Sequence, residues 1–166
     1  MTPLVRIPVG VIVERSRVNS SWVEFAWRAT AVLGGLPDAD PWTRLSGDED
    51  IDTFYAGAAE IELYRTETAN YRDNLASAAP SVWVALLPTA GNPPYQVAAV
   101  TVDPAEGEAL TEPGQGVVEA VPMPASVRDT IASFVSEHHV ERSFEKRKPN
   151  RADPEALARR PAMKER

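Results

Sequence analysis

The chain has 166 residues, 15 prolines, 9 glycines, no cysteine and a formal net charge of −7. The missing cysteine excludes disulfides, thiolate metal sites, iron–sulfur ligation and cysteine nucleophiles. No run approaches the ~20 apolar residues of a membrane-spanning helix, and Arg6 and Pro8 interrupt the N-terminal stretch before a signal-type apolar core forms, so a soluble cytoplasmic protein is expected.

Prolines and glycines spread along the chain cut it into short elements, which suits a strand-rich fold. Val5, Ile7, Val9, Val11 and Val13 alternate with other residues, the period of a strand over 5–14. Pro8 lacks a donor N–H, which places that strand at a sheet edge, or at least turns the Pro8 side away from a neighbour. After the turn Arg15 to Ser21, residues 22–33 read as a second strand. Phe25, Trp27 and Ala29 lie on one of its faces, and Trp22, Glu24 and Arg28 on the other. Gly34 to Asp52 reads as a long polar loop. Thr53 to Tyr64 is the third strand, with Ile61 and Leu63 opposed to Glu60 and Glu62.

The period then changes. Thr66 is a candidate cap for a short helix to Ala76, with Tyr71 and Leu75 four apart on one face. Ser81 to Leu87 is a nearly continuous apolar run, and so a buried strand. Gly91-Asn92-Pro93-Pro94 turns it toward a partner over 95–102. Asp103, Pro104 and Glu106 supply the cap, first position and third position of a second short helix. Gly116 to Val121 is a sixth strand. Ser126 with Asp129 forms a capping box before a helix whose stripe is Val127, Ile131, Phe134, Val135 and His138. The expectation is one α+β domain over 1–140. It is mainly antiparallel, with a curved or barrel-like sheet of about six strands and three short helices, and ~140 residues suffice for an independent core.

Beyond Val140 the periodicity ends. Residues 1–140 carry 8 arginines against 19 acidic side chains, a net of −11; residues 141–166 carry 9 basic and 5 acidic side chains, a net of +4. All three lysines (Lys146, Lys148, Lys164) are in this last stretch. The composition predicts a disordered basic tail over 141–166. Phe144, Lys146, Arg147 and Lys148 form its candidate contact: an aromatic anchor within a cationic run, suited to an acidic partner or to folding back on the chain's own acidic body. Nucleic-acid binding is not expected, because a body of −11 repels phosphates.

Other candidate sites have plain structural readings. His138 and His139 point about 100° apart on a helix and cannot both reach one metal ion, so no metal site is expected. Asp38, Asp40 and Asp48-Glu49-Asp50 suit a solvated loop and lack the order of a calcium loop. Glu60 and Glu62 share one strand face about 7 Å apart, a spacing open to acid–base chemistry or to an ordinary polar surface. Trp22, Trp27 and Trp42, with Tyr55, Tyr64, Tyr71 and Tyr95, either line a ligand pocket or build core. Gly34-Gly35 lacks the lysine and helix start of a phosphate loop. No cofactor is expected.

Four segments together carry a resemblance: Ile7 to Glu14; Tyr64 to Glu67 with Tyr71 to Leu75; Pro80 to Val84; and Val121 to Pro124 leading to Phe134–Val140 and Phe144–Lys148. The chain resembles a small proteobacterial family of uncharacterised proteins whose genes commonly sit beside those of molybdenum- or tungsten-dependent formate dehydrogenases. That resemblance implies a non-enzymatic accessory or maturation protein working with such a dehydrogenase through protein contacts. The alternative is a small-ligand module or enzyme with an aromatic-lined pocket for a pterin or nucleotide.

Overall fold

The computed structural model describes residues 2–112 and 116–139. The tail expected over 141–166, with Phe144, Lys146, Arg147 and Lys148, lies outside the described residues.

The strands are β1 (Val5–Arg17), β2 (Phe25–Leu33), β3 (Thr43–Gly47), β4 (Ile51–Leu63), β5 (Ser81–Pro88), β6 (Tyr95–Thr101) and β7 (Val117–Pro122). The helices are α1 (Thr68–Ala76), entered by a 3-10 turn at Arg65–Glu67, and α2 (Pro104–Leu110); helical residues 125–139 form α3. Among the described residues all pairings are antiparallel, in two sheets of order β2-β1-β4-β3 and β6-β5-β7. The α+β class and antiparallel character agree with the sequence. β4 lies beside β6, and β2 beside β7, but no ladder joins either pair among the described residues. The two sheets therefore wrap one core without closing into a barrel.

The alternation in β1 acts as expected: Val9, Val11 and Val13 are fully buried and meet Ile61 and Leu63 of β4, Val82, Val84 and Leu86 of β5, and Val127, Ile131 and Phe134 of α3. Gly10 and Ile12, on the opposite face, are also buried, because the loop after β2 crosses that face. A Cβ on Gly10 would come within 3.0 Å of Tyr55 Cε1 and 3.3 Å of Pro37 Cδ.

Several expectations need correction. β1 is an interior strand flanked by β2 and β4; Pro8 is tolerated because the β2 ladder stops at Gly10 while β4 pairs on past it. The loop after Gly34 contains β3, a strand exposed at four of its five positions, so no apolar alternation announces it. Trp22 lies outside β2 and is 91% exposed. Thr66 does not cap α1; its hydroxyl bonds Glu67, and the helix begins beyond them at Thr68. Ser126 lies inside the first turn of α3 rather than before it. The start of α2 holds: Asp103 Oδ1 accepts from the Ala105 N–H at 2.9 Å. Glu106, however, accepts from the Thr101 hydroxyl, and that hydroxyl receives the Asp103 N–H. The capping box closes through an intermediary.

Tyr71 anchors α1. Its ring stands edge-on to Phe134, and its hydroxyl accepts the Tyr64 N–H at 2.8 Å. Burial pushes the phenol up to about 12. In the unfolded chain the same group ionises near 10. Stability is therefore full below pH 10 and declines by up to about 2 kcal/mol between pH 10 and 12, as the unfolded state alone loses the proton. Denaturant unfolding of wild type and Tyr71→Phe at pH 8 and 11.5 checks this. The phenylalanine variant should start about 1–2 kcal/mol lower, with Tyr64 N–H left unpaired, and then decline less. Parallel declines would refute the assignment.

Candidate functional site

Among the described residues, the stretch of β4 beyond β3 has no strand on its outer side and faces the unpaired edge of β6 across a cleft of about 400 Å3. Alternation places it. Ile61 and Leu63 point into the core, so Glu60 and Glu62 point out and form one wall. Ala98 and Ala99 of β6 supply a floor of small side chains, and Glu106 of α2 closes the far side. Tyr64 stands at the end of the cleft, its hydroxyl donating to Glu62 at 2.6 Å. That carboxylate holds the Tyr64 phenol above its ordinary range. Arg6 reaches Glu60 at 3.6 Å, with both side chains about half exposed. Three carboxylates and a phenol over an alanine floor can hold a cationic or N–H-rich group.

Most of the other aromatic residues singled out in the sequence pack against one another or into the core. Trp27 stacks on Phe54 and meets Trp42 edge-on, each at 6.0 Å between ring centroids, and lies 6.2 Å from Tyr95. Tyr55 and Tyr71 are core. Arg15 caps this cluster, its guanidinium 4.2 Å from the Phe25 ring centre and within 6 Å of Trp27 and Phe54. Asp52 pairs with both Arg15 and Arg44, which hold its carboxyl below the usual range. Trp42 reaches the cluster through a backbone with φ of 69°.

The histidines separate. His138 packs on Phe134 at 4.6 Å. His139 Nδ1 lies 3.2 Å from the Thr68 hydroxyl, and its Nε2 lies 3.0 Å from an Arg72 nitrogen. Arginine can only donate, so Nε2 accepts and the proton sits on Nδ1. Among the described residues no three His, Asp or Glu side chains are grouped to hold a metal ion. Asp48 shapes the β3–β4 turn by accepting the N–H groups of Asp50 and Ile51, which lower its pKa. Of the acid pairs singled out in the sequence, only Glu60 and Glu62 enter the cleft. Glu106 was legible as a helix-cap residue but not as the facing wall, since that depends on β6 lying beside β4. The Arg15–Asp52 pair was equally hidden; its one signal was an arginine continuing the inward alternation of β1.

A family model described as "Protein of unknown function (DUF3305)" matches residues 8–148. No curated protein and no solved structure matches the chain.

Proposed function

The chain belongs to the DUF3305 family, and within it we propose that this member is a non-enzymatic accessory or maturation protein. It acts through protein contacts with a molybdenum- or tungsten-dependent formate dehydrogenase, the partner implied by the sequence resemblance. The observation that supports a contact role is an apolar group at one end of the four-stranded sheet. Trp22 is 91% exposed, Val23 56%, Leu45 50% and Ile51 40%. Arg17 N–H bonds Asp50 O, and Val18 N–H bonds Glu24 O, so the β1–β2 turn, which carries Trp22 and Val23, lies at the same end of the sheet as the β3–β4 turn, beside which Leu45 and Ile51 stand in β3 and β4. A large exposed apolar group of this kind marks an interaction surface. Phe144, Lys146, Arg147 and Lys148 add a linear contact.

Co-purification from a formate-grown host tests the proposal. The full chain should recover a dehydrogenase component. Trp22→Ser should lower recovery about tenfold or more, as loss of an aromatic anchor does, while unfolding stability stays within about 0.5 kcal/mol because the side chain touches little. Removal of 141–166 should weaken recovery further. Recovery of no dehydrogenase component by the full chain would end this reading.

A small-ligand role has one observation in its favour, the acidic cleft. Its carboxylates repel a nucleotide's phosphates but match the amino-pyrimidine edge of a pterin, which presents N–H donors. Titration with free pterin, compared between wild type and Glu62→Gln, decides it; equal or absent binding removes the ligand reading.

A further inference from the structure

We infer that residues 144–148 of the chain itself dock along the cleft between β4 and β6, antiparallel to β4, with Phe144 against Tyr64, Lys146 at Glu62 and Lys148 at Glu60.

Three observations converge on this occupant. The first is where the described chain ends. Thr68 and Arg72 hold His139 against the start of α1, and Thr68 is four residues beyond Tyr64, the residue at the end of the cleft. From His139 to Phe144 an extended chain spans up to about 17 Å, more than the roughly 14 Å that four residues can at most put between Thr68 and Tyr64. The family match also runs past His139 and reaches Lys148.

The second observation is charge. The cleft carries Glu60, Glu62 and Glu106, while residues 141–166 have a net of +4. The third is spacing. In extended chain, alternate residues share a face about 7 Å apart. Tyr64, Glu62 and Glu60 follow that rhythm down β4, away from the point of entry. Phe144, Lys146 and Lys148 have the same every-second-residue spacing in the sequence. An antiparallel course sets aromatic beside aromatic and each lysine beside a carboxylate. The alanine floor leaves room for the backbone, and Pro149, which has no N–H, suits the end of such a run. The docking stands without the dehydrogenase reading. On that reading the partner would compete with the cleft for the same side chains.

The lysine distribution supplies the test. A carbodiimide joins an amine directly to a carboxylate, and Lys146, Lys148 and Lys164 are the chain's only lysines. In the isolated full chain, monomeric product should contain Lys146–Glu62 and Lys148–Glu60 links. At 1 M salt, where the screening length falls to about 3 Å, their yield should drop tenfold or more. Phe144→Ser leaves every lysine and glutamate in place and should lower the yield several-fold. Links spread evenly over other carboxylates, such as Asp129 or Glu137, would overturn the inference. So would links that join labelled to unlabelled chains in a mixed sample, which would make the occupant a second copy. No dehydrogenase is present, so this result and the co-purification can fail separately.

Discussion

Asn74→Ala should destabilise the protein by about 3 kcal/mol or more, the largest loss expected from any polar side chain described above. Asn74 is 3% exposed and near the end of α1. Its Nδ2 donates to the carbonyls of Ser81 and Val102, each at 2.9 Å, and its Oδ1 accepts the Ser81 N–H at 3.0 Å. One side chain thus ties α1 to the start of β5 and to the chain leaving β6. Alanine strands three backbone groups, and each unpaired buried group costs about 1–3 kcal/mol. Partial hydration at Ser81 keeps the total below the full sum. Asn74→Asp is the informative companion. It keeps the acceptor for Ser81 N–H but turns a carboxylate toward two carbonyl oxygens, so it should be no better than alanine. Urea unfolding measures both, and a loss under 1 kcal/mol for alanine would show that the network is dispensable.

Gly107→Ala should also destabilise, by about 2 kcal/mol, against the direction of helix propensity. Gly107 lies in α2, where alanine is intrinsically better by about 1 kcal/mol. A Cβ there, however, would overlap the ring atoms of Trp83, including Cγ at the base of the indole. That end of the side chain cannot swing clear without moving β5. Overpacking of this kind costs about 1–3 kcal/mol or more, so packing outweighs propensity. The sign reverses without the indole: in a Trp83→Ala background, Gly107→Ala should be neutral or stabilising. Thermal or urea unfolding of the four proteins gives the coupling, and additive effects would contradict the contact.

These two positions show where the sequence stopped being readable. Alternation exposed β1 and β4 because their inward residues face a single core and repeat every second position; an almost unbroken apolar run exposed β5, and the turn at Gly91 to Pro94 pointed to β6 as its partner. The stripe Val127, Ile131, Phe134 placed α3 for the same reason at a helical period. β3 escaped because it covers only the edge of β4 and buries almost nothing. Asn74 escaped because its partners are backbone groups 7 and 28 residues away, and backbone partners leave no trace in side-chain pattern. In the sequence Gly107 is only a poor helix former; its reason is Trp83, which lies against it from another element. The cleft was half visible. Glu60 and Glu62 were paired by strand geometry alone, whereas Glu106 joins them only through the meeting of two sheets.

The centre of β1 has a consequence for how this chain tolerates change in length. Its ladder with β4 shifts between Val11 and Ile12, and its ladder with β2 shifts between Ile12 and Val13. Both faces are covered from Val9 to Val13. Losing or gaining one residue here would rotate every following side chain to the other face, carrying Arg15 off its aromatic rings and away from Asp52. The turns at Val18–Glu24 and Thr89–Pro94 have no such coupling to both neighbours. Insertions that unfold the protein should therefore concentrate in five residues of its first strand, and those that leave it folded should collect at the hairpin tips.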